Sequence, residues 1–233
     1  MTAAGEVVAQ NLARVYARIV AACRQCGRDE GSVELLAVSK TWPATAVRLA
    51  WAAGQRAFGE NRVQELAAKA VDLVDLADLR WHLIGSLQTN KVRDLVAVPG
   101  LTLLHSLDRV RLADELQREL ARGGRRLAAL LQVHATDEPT KHGVAPADAL
   151  ALLAHVRGNC PAIDVVGVMA MGPLAGDPAS TFRRVAALHD ELRQRAGMAL
   201  PVRSLGMSGD LEAAIAAGST LVRIGTAVFG ARG

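Results

Sequence analysis

Short runs of β-branched and other apolar residues alternate along this chain with longer segments in which apolar residues return every three or four positions. After a helix-like stretch near residues 5 to 26, the runs are VELLAVS (33–39), RAFGE (56–60), WHLIG (81–85), LTLLHS (101–106), LAALLQVH (127–134), IDVVGVMA (163–170), VRSLG (202–206) and TLVRIG (220–225). Segments between them, such as ATAVRLAWAAG, RVRLADELQRELARGG and ASTFRRVAALHDELRQRAG, show helical periodicity, and several finish on the glycine that a helix C-terminus favours. Strand and helix in alternation imply a parallel sheet. Eight units at a spacing of roughly thirty residues predict an α/β fold, a closed (β/α)8 TIM barrel with an added N-terminal helix.

No Pro- or Ser-rich linker divides the chain, and DEPTKHGVAP and GPLAGDP are loop-sized, so residues 1–233 are expected to form a single domain. Composition supports this, since 51% of the residues are hydrophobic and supply a barrel core. No run reaches the roughly eighteen uninterrupted apolar residues of a membrane span. The start MTAAGEVVAQ lacks the charged-then-apolar design of a signal peptide. Together these point to a cytoplasmic protein with no membrane partner.

Lys and Arg number 27 against 23 acids, for a net charge of +4. The basic residues are scattered rather than gathered into a tract that would neutralise a phosphate backbone. With three Trp, three Phe and one Tyr there is little from which to build a base-stacking platform. Nucleic acid is therefore not an expected partner, whereas a small anion suits the mild basicity. Cys23 and Cys26 form a C-x-x-C inside the first helix with no second pair, and Cys160 stands alone, so no metal site or redox motif is assigned to them. Histidines at H-x-x-x-H or H-E-x-x-H spacing are also missing, which removes the usual metallohydrolase signatures.

In a (β/α)8 barrel the chemistry sits at the C-terminal ends of the strands and in the loops after them. Lys40 ends the first strand in LLAVSKTWP, on the face shared with Leu36 and Val38, so its amine is aimed over the barrel mouth. There it is either a nucleophile toward aldehydes or an ordinary solvated loop lysine. In GMSGDLEAAIAAGSTLVRIGTAVFG, Ser208 and Gly209 follow strand seven, and Gly225 and Thr226 follow strand eight, the usual phosphate-binding place in such a barrel. Ser208 as a plain N-cap and Gly225 as a plain turn residue are the competing readings. Asp210 and Glu212 would have to point away from a phosphate. Arg223 lies on the inward strand face with Leu221 and needs an acceptor, either an internal partner such as Glu60 or a ring nitrogen of a bound heterocycle. FGENRVQE places Glu60, Asn61 and Arg62 after strand two, and WHLIGSLQTNK places His82 on strand three with Gln88, Asn90 and Lys91 beyond it.

As a set, AVSKT (37–41), FGENRVQE (58–65), WHLIGSLQTNK (81–91), GMSGDLEAAIAAGST (206–220) and VRIGTAVFG (222–230) resemble the pyridoxal phosphate (PLP) homeostasis protein family, over nearly the whole chain and in the same order. The resemblance implies a PLP-binding barrel similar to the N-terminal domain of alanine racemases, associated with cofactor homeostasis rather than with a defined reaction. It implies that Lys40 holds PLP as a Schiff base. Ser208, Gly225 and Thr226 resemble the phosphate cup, Arg223 the partner of the pyridine nitrogen, and Asn61 a residue near the cofactor. Lys141, in DEPTKHG, resembles a loop lysine of the family. The chain departs from common family forms at Ser86, at Gly209 and at Val133-His134-Ala135.

An amino-acid racemase or decarboxylase of the barrel type would use the same Lys40 and Arg223, but such enzymes add a β-domain that supplies a second acid/base, Tyr or Cys. The only tyrosine here, Tyr16, falls in the first helix. A phosphate-binding barrel with no tie to PLP is the third class. The expectation is a non-enzymatic, monomeric PLP-binding protein of intracellular PLP homeostasis, with apo PLP-dependent enzymes as recipients.

Overall fold

The computed structural model describes residues 3–136 and 142–230. Eight parallel strands close into a barrel in sequential order, with β1 (Glu34–Val38) paired to both β2 (Ala57–Glu60) and β8 (Leu221–Ile224). The others are β3 (Arg80–Leu83), β4 (Leu101–Leu107), β5 (Leu127–Gln132), β6 (Ile163–Met169) and β7 (Val202–Ser204). Each expected apolar run coincides with one strand, β3 starting one residue before its run and β4 ending one residue after. Period-two alternation then sorts the side chains. Leu36, Leu103, Leu130, Met169 and Leu221 form one buried cluster, separate from the larger core that the strands share with the helices.

The helical layer consists of α1 (Ala3–Gln25), α2 (Ala44–Ala52), α3 (Val63–Asp72), α4 (Val92–Val96), α5 (Val110–Arg122), α6 (Ala149–Asn159), α7 (Pro178–Ala196), α8 (Leu211–Ala216) and α9 (Thr226–Phe229). Burial of Val8, Leu12, Val15, Ile19 and Ala22 at three- and four-residue intervals gives α1 one apolar stripe. That stripe meets α2, α8 and α9. Because α9 has only four residues, it cannot cover the β8–β1 seam, and the N-terminal helix takes that place in the ring. Caps follow the sequence at α7, where Asp177 accepts the amides of Ala179 and Ser180 and Gly197 ends the helix at φ 62°. Among the described residues no helix is long and apolar enough to cross a membrane.

Candidate functional site

At the C-terminal mouth of the barrel lies a cavity of about 360 Å³, within the size range of small-molecule sites. Its lining brings together Lys40, Asn61, Ser208, Arg223, Gly225 and Thr226, which come from the ends of four strands. Val38, Ile84, Met169, Met171 and Trp42 supply apolar walls.

Lys40 follows β1 in a tight turn in which the Trp42 amide donates to Ser39 O at 3.0 Å. The Lys40 amine has no hydrogen-bond or ion-pair partner among the described residues and faces the cavity beside Val38. The next residue, Thr41, has φ 70°, a conformation that costs a β-branched side chain of order 1–3 kcal/mol. A buried charge network holds the turn in spite of this. Lys69, on α3, donates to Ser39 O at 2.8 Å, Glu60 Oε1 at 2.7 Å and Glu65 Oε1 at 2.8 Å. Glu65 Oε1 also accepts the Thr41 amide at 2.5 Å, and Ser39 Oγ donates to Glu60 Oε1 at 2.6 Å. Two separate sequence motifs, AVSKT and FGENRVQE, are thereby one structural unit. Burial raises the Glu60 carboxyl, against the opposing pull of Lys69 and Ser39. At Glu65 burial also pushes upward, but the bonds from Lys69 and the Thr41 amide outweigh it and its carboxyl is lowered.

Glu60 is therefore not the acceptor for Arg223. That guanidinium donates through Nη1 to Ser204 O at 2.6 Å and Ser204 Oγ at 2.7 Å, and through Nη2 to Ala170 O at 2.9 Å. A guanidinium has five N–H donors. The remaining two, one on Nε and one on Nη2, have no partner among the described residues, although Arg223 is only 5% exposed. Burial lowers its pKa to about 10, with Asp210 opposing, so it stays charged at neutral pH.

Ser208 and Gly209 form the loop between β7 and α8, and Gly225 precedes α9. The amides of Ser208 and Gly209 and the hydroxyls of Ser208 and Thr226 donate to no described residue, which leaves a group of open donors at one side of the cavity. A Cβ on Gly225 would stand 3.1 Å from Val38 O, so a side chain there would crowd the β1 end. Glu212 turns outward to Arg18 of α1, at 2.8 Å, while Asp210 Oδ1 accepts the Met207 amide at 2.6 Å. Glu212 thus points away from the open donors, whereas Asp210, expected to do the same, stays beside them: its partner amide belongs to Met207, which lines the same cavity, and its charge acts on Arg223. Asn61 is seated against the β3 loop, where a Cβ on Gly85 would lie 2.0 Å from Asn61 O. That approach requires glycine.

Among the departures from family form, Gly209 lines the cavity, Ser86 is exposed and outside it, and Val133, His134 and Ala135 line a different cleft. Lys91 pairs with Asp94 and does not reach the site. Lys141 lies outside the described residues. Cys23 is packed in the core and Cys26 is exposed, both as free thiols. The apolar walls and the Lys69 network were missed from sequence. Alternation placed Val38 on the Lys40 face, and the same period through VMAM marks Met169 and Met171 as one strand face; these are the advance signs of the walls.

Residues 10–233 match the family described as "Alanine racemase, N-terminal domain". The chain is 44% identical to the pyridoxal phosphate homeostasis protein of Pseudomonas aeruginosa, over 97% of this chain and 96% of that one. It is 42% identical to the protein of that name from Aquifex aeolicus, over 96% and 97%. The solved structure of PipY from Synechococcus elongatus with PLP bound superposes with a TM-score of 0.83 at 39% identity, covering 96% of this chain and all of that one.

Proposed function

This chain belongs to the pyridoxal phosphate homeostasis proteins, within the alanine racemase N-terminal domain family, and from that membership we propose that it binds PLP at the barrel mouth, as a Schiff base on Lys40, and keeps it available without turning over a substrate. The single observation behind this reading is that open donors and an open amine converge on one cavity: Lys40, the two free N–H groups of Arg223, and the Ser208, Gly209 and Thr226 donors. The set fits the cofactor's three handles. The Ser208 and Thr226 loops suit a phosphate, Arg223 suits a ring nitrogen that accepts a hydrogen bond, and Lys40 suits an aldehyde. PLP, when bound, supplies an aldehyde that condenses with amines and a ring that stabilises negative charge on an attached carbon.

Catalysis at such a carbon needs placed acids and bases. Among the described residues lining the cavity, only Lys40 and Arg223 are ionisable, and Arg223 is held as a permanent donor. An amine that displaces Lys40 would therefore meet no second proton-transfer group, which favours exchange of the cofactor over reaction. Apo PLP-dependent enzymes are the recipients this implies. Borohydride reduction of the PLP-loaded protein and peptide mapping test the binding half. The adduct should sit on Lys40, and Lys40→Ala should lose it while retaining its circular dichroism spectrum. Full occupancy of a different lysine in Lys40→Ala would remove Lys40 from the account.

A further inference from the structure

Below the cavity floor a row of four polar side chains crosses the barrel from β8 and β7 to β4 and β3. Arg223 Nη1 donates to Ser204 Oγ at 2.7 Å, Ser204 Oγ is 3.1 Å from His105 Nδ1, and His105 Nε2 is 3.1 Å from His82 Nδ1. The two rings are 5.2 Å apart and tilted by 41°. Ser204 and His105 are completely buried, and His82 and Arg223 nearly so.

The chemistry of the first member fixes the direction of the row. A guanidinium only donates, so Ser204 Oγ accepts from it and turns its own proton to His105 Nδ1. His105 then carries its proton on Nε2 and gives it to His82 Nδ1. Only this tautomer pattern makes all three links and also gives the Ser204 hydroxyl proton an acceptor within the row, and it needs both rings neutral. A protonated His105 would aim an N–H at Ser204 Oγ, leave the hydroxyl proton without an acceptor, and place a second cation beside Arg223. Burial keeps that form away: it drives His82 down to about 3, with Arg80 adding to the effect, and holds His105 well below the ordinary histidine range, with His82 and Arg223 adding to it. An apolar layer would fill this space without the desolvation cost of four polar groups, and the neighbouring Leu36, Leu103, Leu130 and Leu221 show that the barrel has such layers.

We propose that His105, backed by His82, is a positioning residue for the cofactor's ring nitrogen: through Ser204 it fixes the plane of Arg223 so that the open Nε and Nη2 donors face the cavity. This rests on the assignment of Arg223 to the ring nitrogen made above. Without His105 the Ser204 side chain is free to change rotamer, and of the three acceptors of Arg223 only the two carbonyls, which tolerate a range of tilts, stay fixed.

The test compares affinity for PLP with affinity for its carbocyclic analogue, in which carbon replaces the ring nitrogen, by fluorescence titration of wild type, His105→Leu, Ser204→Ala and His105→Asn. Wild type should prefer PLP by about tenfold or more, the scale of one charge-assisted hydrogen bond. His105→Leu and Ser204→Ala should reduce that preference to about twofold while binding of the analogue stays nearly constant. His105→Asn, whose Oδ1 stands where Nδ1 stood, should restore most of it. Ser204→Ala removes a single hydroxyl and serves as the test should His105→Leu fail to fold. An undiminished preference in Ser204→Ala and His105→Leu, or an equal loss of both ligands, overturns the positioning role. A wild type that does not distinguish the two ligands overturns the ring-nitrogen assignment itself, and the proposal with it.

Discussion

Lys69 occupies one of the most demanding positions in the molecule, with a side chain 7% exposed and its ammonium bonded to two carboxylates and a carbonyl. Removing one member of a buried ion pair leaves the other charge uncompensated, at a cost of about 3–5 kcal/mol. Lys69→Met should accordingly lower stability by about 3 kcal/mol in urea unfolding, and it should weaken PLP binding because Ser39 O loses its donor and Glu65, which holds the Thr41 amide beside Lys40, loses its own. The Glu60→Gln/Lys69→Met double variant should lose less stability than the two single changes added together, since the orphaned charge is gone. A strictly additive result would mean that Glu60 and Lys69 are not coupled. His82 and His105 tie stability to pH. Both have folded pKa values below the unfolded value near 6.5. The unfolded chain therefore binds more protons as pH falls from about 6.5 toward 3, and stability drops over that window by up to about 1.4 kcal/mol per pH unit for each histidine. Replacing His82 and His105 together by Gln should flatten this acid limb in thermal melts taken between about pH 6.5 and 4. An unchanged slope would show that the two rings are not held neutral.

At the scale of elements, the loops after β7 and β8 divide the proposed binding energy with Lys40. Loss of one hydrogen bond to a charged group costs about 1–2 kcal/mol, so Ser208→Ala and Thr226→Val should each weaken PLP by that amount. Pyridoxal, which lacks the phosphate, should bind far less tightly than PLP. Equal affinities would show that these loops do not hold the phosphate. The placing of these loops was legible because each strand run was short, apolar and followed by turn residues; GMSGD and RIGT announce their own strand ends. The boundaries were less so. The run VRSLG yields only a three-residue strand, since Gly206 adopts φ 91° and starts the turn into α8. Least legible was the Lys40 turn's support, because the contact between Ser39 and Lys69 spans thirty residues and depends on how α3 lies against β1 and β2. Glu60 had two inward-facing cations available, and spacing alone does not choose between Arg223 and Lys69.

For the whole molecule, barrel closure explains why a ligand site arises from residues so far apart in the chain. Pairing of β1 with β8 sets Leu36 beside Arg223, and two residues beyond each strand end bring Lys40 and the Gly225–Thr226 loop to the same mouth. Structural likeness extends to alanine racemase from Corynebacterium glutamicum at 18% identity, with a TM-score of 0.69 over 98% of this chain and 62% of that one, a likeness of fold alone. A shared barrel therefore does not decide between a carrier and an enzyme; the acid and base groups placed around the cofactor do. The most direct measurement mixes PLP-loaded protein with an apo PLP-dependent enzyme and, in parallel, with single-enantiomer amino acids, following enzyme activation and optical rotation. The apo-enzyme should be activated, with no substantial change in rotation. Racemisation at about 1 s⁻¹ or faster that disappears in Lys40→Ala would contradict it.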